Sequence, residues 1–145
     1  MGPFSFPAMS YTNTFIRIAP DSARETAVIP PWNPDKRSVA SLQHELLTRH
    51  PGELTEKELY FQVHCQRLGL PQEEVDIRRE GIWRELFAKP QACLRASPLP
   101  KSYGWGIHYD PEGRVRLVAV DSPEYRQLSE GTLFQTAAMR SKRAQ

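Results

Sequence analysis

The apolar positions of the N-terminal part predict two strands and then a helix. Residues 11–18 are rich in β-forming side chains and alternate in part between apolar and polar, which is typical of a strand. A second, shorter strand is predicted at 27–29. Over 39–49 the apolar residues recur with helical spacing, and Ser38 precedes them as an N-cap, so this pattern predicts an amphipathic helix.

The next part of the chain predicts two further helices. Thr55 and Glu58 have the spacing of a capping box and begin a helix, and Gly69 suits the left-handed residue that ends it. A third helix is predicted over 71–88, because a proline followed by acidic residues is typical of a helix N-terminus.

The C-terminal part predicts a β-hairpin and a short helix. Residues 104–109 and 114–120 have the pattern of strands, and residues 110–113 between them fit a type I turn. A short helix is predicted over 122–128. Because strands and helices are segregated along the chain, the sequence predicts an α+β fold, in which a small antiparallel sheet with a C-terminal β-hairpin packs on about three helices.

Composition and charge narrow the class of protein. The chain has 145 residues and a net charge of +2, which does not favour a nucleic-acid or membrane partner from bulk electrostatics. No window approaches the ~18 apolar residues of a membrane span. We expect a disordered leader over 1–9, a single α+β domain over 10–138 and a basic C-terminal tail over 139–145.

The cysteines and histidines exclude several kinds of site. Cys65 and Cys93 are too few for a disulfide framework and lack the spacing of metal ligands. The four histidines are spread along the chain without a metal-binding motif, so we predict neither a metal nor a cofactor. Free thiols and the absence of a signal peptide indicate a cytoplasmic location.

The segment 93–109 concentrates the candidate chemistry. A pair formed by Cys93 and His108 would be the start of a thiol-based nucleophilic site, and Arg95 would favour the thiolate. No motif of a thiol enzyme surrounds the cysteine, so a buried, inert thiol is the commoner outcome. His108 lies beside Gly106, which leaves room for a ligand to approach, although a structural histidine is again the commoner outcome.

Several strings of residues in this chain resemble a known family. They are Ser-Tyr-Thr-Asn-Thr-Phe-Ile at 10–16, Ser-Val-Ala-Ser-Leu-Gln at 38–43, Ala-Cys-Leu-Arg-Ala-Ser-Pro-Leu-Pro-Lys at 92–101, Tyr-Gly-Trp-Gly-Ile-His at 103–108 and Ala-Met-Arg-Ser-Lys-Arg at 138–143. The chain resembles a family of small, mostly bacterial proteins known as a domain of unknown function. The resemblance covers nearly the whole chain after Met9. It implies one domain and brings no activity with it.

We therefore hypothesise a non-catalytic binding module for a small anionic ligand or partner. The predicted ligand-binding residues are Arg95, Lys101, Tyr103, Trp105 and His108, because cations and aromatics cluster on a segment stiffened by prolines.

Two alternatives stay open. One is an enzyme that uses Cys93 and His108. The other is an interaction protein that dimerises through a sheet edge or contacts nucleic acid through its tail, where Arg140, Lys142 and Arg143 would bind the partner. The tail could also dock on the domain, with Met139 as its anchor.

Overall fold

A computed structural model describes residues 11–140, in which a five-stranded sheet has the order β2-β4-β3-β1-β5. The strands are β1 (Thr14–Arg17), β2 (Leu54–Thr55), β3 (Trp105–Tyr109), β4 (Arg114–Ala119) and β5 (Phe134–Ala137). The helices are α1 (Val39–Arg49), α2 (Glu56–Leu68), α3 (Gln72–Phe87), α4 (Pro98–Ser102) and α5 (Pro123–Glu130), with a 3₁₀ turn at Leu94–Ala96. The predicted leader over 1–9 and the tail residues Lys142 and Arg143 lie outside the described residues.

The predicted α+β class is confirmed, and the sheet is mixed where the sequence predicted antiparallel pairing throughout. The central strand β3 pairs antiparallel with both β4 and β1, so the predicted hairpin forms. At the edge, β5 pairs parallel with β1, from Thr14–Phe134 to Arg17–Ala137. This strand carries little alternation in its burial, because Phe134 is exposed and the next three residues are all half-buried. The hydrophobic pattern of the sequence therefore could not predict this strand.

The helix ends form through the residues that the sequence indicates. The Ser38 side chain accepts a hydrogen bond from the backbone N–H of Ser41 at the start of α1. Thr55 and Glu58 form the capping box of α2, in which each side chain accepts from the other residue's backbone N–H. Gly69 ends α2 with a φ of 70°, in the left-handed region that favours glycine.

The strand predicted at 27–29 is wrong, because this segment is held by a side chain instead of a neighbouring strand. The backbone N–H of Val28 donates to the carbonyl of Tyr103 at 3.0 Å. The carbonyl of Val28 accepts a hydrogen bond from the indole Nε1 of Trp105 at 2.8 Å. The indole supplies the donor that a strand partner would provide, and the segment stays a loop.

The two faces of the sheet have different coverings. Ile16, Ile107 and Tyr109 point toward α1 and α2 and belong to the main core, where each is fully buried. Phe15 and His108 occupy the opposite face because side chains alternate along a strand, and α5 lies over this face. The core contributions of the first two helices are Leu42, Leu46, Leu47, Leu59 and Val63.

Helix α3 attaches to the rest of the fold through a second, smaller apolar cluster. Val75 and Ile82 of α3 pack against Phe61 and Cys65 of α2 in this cluster. The other side of α3 faces solvent, and Ile77 is 82% exposed. Within residues 11–140, no helix combines the length and the apolar character needed to cross a bilayer.

Gly106 marks the closest contact between α5 and the sheet. A Cβ atom at this position would lie 2.8 Å from Cε2 of Tyr125 and 2.9 Å from two ring atoms of Phe15. These two rings meet edge to face, and the hydroxyl of Tyr125 accepts a hydrogen bond from the backbone N–H of Ile18 at 2.9 Å. The space that Gly106 leaves open is therefore filled by the protein's own aromatic rings.

We expect Gly106→Ala to destabilise the fold by about 1–3 kcal/mol, because the added methyl group overpacks this contact. The matched control is Gly81→Ala on α3, where a Cβ meets nothing within 4 Å and the gain in helix propensity is about 0.5–1 kcal/mol. Urea unfolding followed by circular dichroism measures both changes. Equal unfolding midpoints for Gly106→Ala and the unmodified chain would contradict the close contact.

Candidate functional site

Arg95, the first of the predicted ligand-binding residues, holds the C-terminal strand in place. Its Nε donates to the carbonyl of Ala137 at 2.7 Å, and its own carbonyl accepts from the N–H of Met139 at 2.9 Å. Between these two bonds, Ala138 is 2% exposed and its N–H donates to the carbonyl of Arg17 at 2.9 Å. The chain docks through Ala138, whereas Met139, the predicted anchor, is 51% exposed.

The next three predicted residues lie where α4 passes into β3. Lys101 is in the last turn of α4, and Tyr103 caps that helix with an N–H that donates to the carbonyl of Leu99 at 3.2 Å. The carbonyl of Tyr103 and the indole of Trp105 both bind the backbone of Val28. The structure therefore uses Tyr103 and Trp105 to hold the loop at 27–29.

His108 lies on the face of the sheet that α5 covers, away from Arg95. It is half-buried beside Arg116, which forms a salt bridge with Glu124 of α5. Burial lowers the pKa of His108, the charge of Arg116 lowers it further, and the carboxylates of Glu124 and Asp110 act in the opposite direction. A neutral imidazole is therefore favoured near neutral pH, which makes this residue a poor anchor for an anion.

The structure does not bring Cys93 and His108 together. Cys93 is 8% exposed, and its Sγ lies 3.9 Å from the hydroxyl of Tyr11. The ring of Tyr11 packs on Tyr109, which faces the helices, and the preceding residue, His108, faces the other way. Among residues 11–140, no three His, Cys, Asp or Glu side chains are grouped so that they could hold a metal ion.

A groove of about 570 Å³ lies between α1, α2, the end of α3 and the segment 91–98. Val63 and Leu68 of α2 and Leu86 of α3 form part of its apolar wall. Its volume is in the range of ~300–1,000 Å³ that is typical of small-molecule sites. Cys93 also lines the groove, so one of the predicted site residues borders it.

The polar groups of this groove favour an anion. His64 and Arg67 line it from α2, and no aspartate or glutamate of residues 11–140 does so. Arg67 is exposed and has no salt-bridge partner within the same described range. On the α1 side, the buried Gln43 accepts a hydrogen bond through Oε1 from the hydroxyl of Ser97 at 2.7 Å.

A buried carboxyl group, that of Glu56, lies behind the segment that forms one wall of the groove. Glu56 is 2% exposed. Its Oε2 accepts from the backbone N–H of Leu94 at 2.8 Å, and its Oε1 accepts from the hydroxyl of Tyr109 at 3.0 Å. Burial raises the pKa of Glu56 to about 8, against the opposing effect of these hydrogen bonds.

Two further tyrosines connect this carboxyl group to the surface. Tyr60 lines the groove, donates from its hydroxyl to the carbonyl of Ala92 at 2.6 Å, and has its pKa raised by burial and by Glu56. Tyr11 and Tyr109 line a smaller cavity of about 250 Å³ together with Glu56. The carboxyl group and its tyrosines thus form a polar connection between the groove and the smaller cavity.

The sequence analysis did not predict the residues of α2 that line the groove. Tyr60, Val63, His64 and Arg67 are spaced as one face of a helix, and that face mixes polar with apolar side chains. Such a mixed face is the signal that could have indicated a site on α2. The acidic residue at position 56 gave no comparable signal, because a glutamate in the first turn of a helix is ordinary.

The chain belongs to DUF6157, a family of unknown function, whose sequence model matches residues 7–144. None of the curated proteins and none of the solved structures compared with the chain matches it. Membership in a family of unknown function agrees with the resemblance seen in the sequence and assigns no activity to the chain.

We expect the stability of the fold to decrease as the pH rises from about 4.5 to about 8. In this range Glu56 is ionised in the unfolded chain but protonated in the folded one, so the folded state binds the extra proton. The loss amounts to a few kcal/mol at most. Urea unfolding at a series of pH values measures it.

The variant Glu56→Gln keeps an acceptor for the N–H of Leu94 and cannot ionise, so we expect most of this pH dependence to disappear. Glu85→Gln on the exposed side of α3 is the matched control and should leave the dependence unchanged. If Glu56→Gln and the unmodified chain show the same slope of unfolding free energy against pH, the assignment of the slope to Glu56 is wrong.

Proposed function

We propose, for this member of a family without an assigned activity, that the protein is a non-catalytic binding module for a small organic anion. The apolar part of the ligand packs against Val63, Leu68 and Leu86 in the groove, and its anionic group pairs with Arg67 and His64. The observation that carries this proposal is the charge of the groove lining, which within residues 11–140 includes the guanidinium of Arg67 and no carboxylate.

This proposal keeps the anionic ligand that the sequence suggests and assigns it to different residues. The predicted set of Arg95, Lys101, Tyr103, Trp105 and His108 stays a prediction. Two observations favour the groove over that set. Arg95 and Trp105 already bind backbone carbonyls of the chain, and His108 lies on the other face of the sheet.

A non-catalytic role is supported by the surroundings of Cys93. The sulfur of Cys93 lies 3.9 Å from the hydroxyl of Tyr11, and a phenol is a poor general base for a thiol. A cytoplasmic location also belongs to this proposal, and it is supported by the two free thiols of Cys65 and Cys93.

The expected affinity comes mainly from apolar contact. Each Å² of apolar surface that leaves water contributes roughly 25 cal/mol, whereas an exposed ion pair contributes about 0–1 kcal/mol. Arg67 is exposed, so its charge serves mostly to select anions over neutral molecules. Affinity should therefore increase with the length of the apolar chain and decrease moderately with added salt.

We expect octanoate to bind in the groove and 1-octanol to bind more weakly, as measured by isothermal titration calorimetry. Arg67→Gln should weaken octanoate binding about two- to fivefold, because the exposed pairing partner is lost. Arg84→Gln, an exposed arginine of α3 outside the groove, is the matched control and should have no effect. Equal binding of octanoate and octanol, or no effect of Arg67→Gln, would overturn the proposal.

A further inference from the structure

We infer that the anion bound in the groove carries a second hydrogen-bond acceptor, separated from its anionic group by an apolar chain, and that Gln43 recognises this acceptor. The inference rests on the proposed function and narrows its ligand from organic anions in general to a class. Members of this class are long-chain carboxylates that carry an ester, a ketone or a second carboxyl group.

The side chain of Gln43 has a fixed orientation. Gln43 is 4% exposed, and its Oε1 accepts a hydrogen bond from the hydroxyl of Ser97 at 2.7 Å. The same hydroxyl accepts from the N–H of Leu99 at 3.2 Å, as the N-cap of α4. The hydroxyl has one hydrogen, so it donates to Gln43 and accepts from the helix. Turning the amide over would place its nitrogen against this donor.

The amide of Gln43 has a donor as well as an acceptor. Because Ser97 occupies the carbonyl oxygen of Gln43, the donor capacity of this side chain resides in its Nε2. Within the described part of the chain, no hydrogen bond of Nε2 accompanies that of Oε1, and the groove lining also includes Val39, Ala96 and Pro98, whose side chains carry no acceptor. Burying an amide donor without a partner is unfavourable, so a ligand that reaches Gln43 gains by presenting an acceptor.

The groove is long, and its polar groups lie on two helices. Tyr60 and Arg67 both line it and are seven positions apart on α2, which corresponds to about 10 Å along the helix axis. Gln43 lies on α1, whereas Arg67 and His64 lie on α2, so the two points of recognition belong to different helices. A molecule with an apolar part can contact Val63, Leu68 and Leu86 in addition to these polar groups, whereas a compact anion such as phosphate offers no apolar surface to them.

A comparison of matched ligands tests this inference by calorimetry. The monomethyl esters of adipate, suberate and sebacate are each compared with the monocarboxylate in which methylene groups replace the ester. Without a donor in the groove, each ester binds more weakly than its hydrocarbon counterpart, because it is less apolar. With Gln43 as donor, we expect at least one ester to bind about three- to tenfold more tightly than its counterpart.

Two variants that add the same negative charge distinguish the loss of the Gln43 amide donor from the electrostatic effect of the charge. Gln43→Glu still accepts from Ser97 and has no amide donor, so we expect the ester preference to reverse. Gln91→Glu is the matched control, since Gln91 also lines the groove but its Nε2 already donates to the carbonyl of Leu86 at 3.0 Å. The ester preference should survive in Gln91→Glu, even if both variants weaken every anion.

The outcomes distinguish this inference from the proposed function. If the monocarboxylates bind and no ester gains over its counterpart, the role of Gln43 is wrong and the anion site stands. If an ester gains equally in the unmodified chain and in Gln43→Glu, the acceptor is recognised elsewhere and the inference is overturned. If no carboxylate binds, both proposals fail. Should Gln43→Glu fail to fold, Gln43→Met removes the amide donor without adding a charge, and a retained ester preference would then overturn the inference.

Discussion

The buried carboxyl group of Glu56 is the interaction on which the arrangement of the groove depends. It joins three parts of the chain that are distant in sequence: the start of α2, the 3₁₀ turn through the N–H of Leu94, and β3 through the hydroxyl of Tyr109. A carboxyl group removed from water is unfavourable unless its oxygens are paired, and here both oxygens accept hydrogen bonds. The buried carboxyl group is therefore tolerated in the core, and its hydrogen bonds hold the segment 91–97 in place.

The fixed segment then positions the Gln43 side of the groove and, separately, the C-terminal strand. Three residues after Leu94, the hydroxyl of Ser97 caps α4 and orients the amide of Gln43. In the same segment, Arg95 binds the carbonyl of Ala137 and so fastens the parallel edge strand to the rest of the sheet. The wall of the groove, the start of α4 and the C-terminal strand are thus held by neighbouring residues of one short stretch.

The features that could be predicted from the sequence are those that depend on residues close together in the chain. The caps at Ser38 and Thr55 and the glycine at 69 act within a few positions, so their patterns were sufficient. The groove depends on pairs far apart in sequence: Leu94 and Glu56 are 38 positions apart, and Ser97 and Gln43 are 54 apart. The hydrophobic periodicity of helices and strands carries no information about such distant pairs. The predicted strand at 27–29 failed for the same reason, because a distant indole took the place of a strand partner.

Tyr60 shows why the buried carboxyl group and the groove are one physical system. Its ring lines the groove, its hydroxyl donates to the carbonyl of Ala92 in the wall, and its inner side borders Glu56. When Glu56 is neutral, it must itself donate a hydrogen bond, whereas the ionised form accepts from every neighbour. A proton on Glu56 therefore changes the hydrogen bonds between this carboxyl group and the hydroxyl groups of the tyrosines around it. Glu56, Tyr60 and the groove wall at Ala92 are therefore joined by direct contacts.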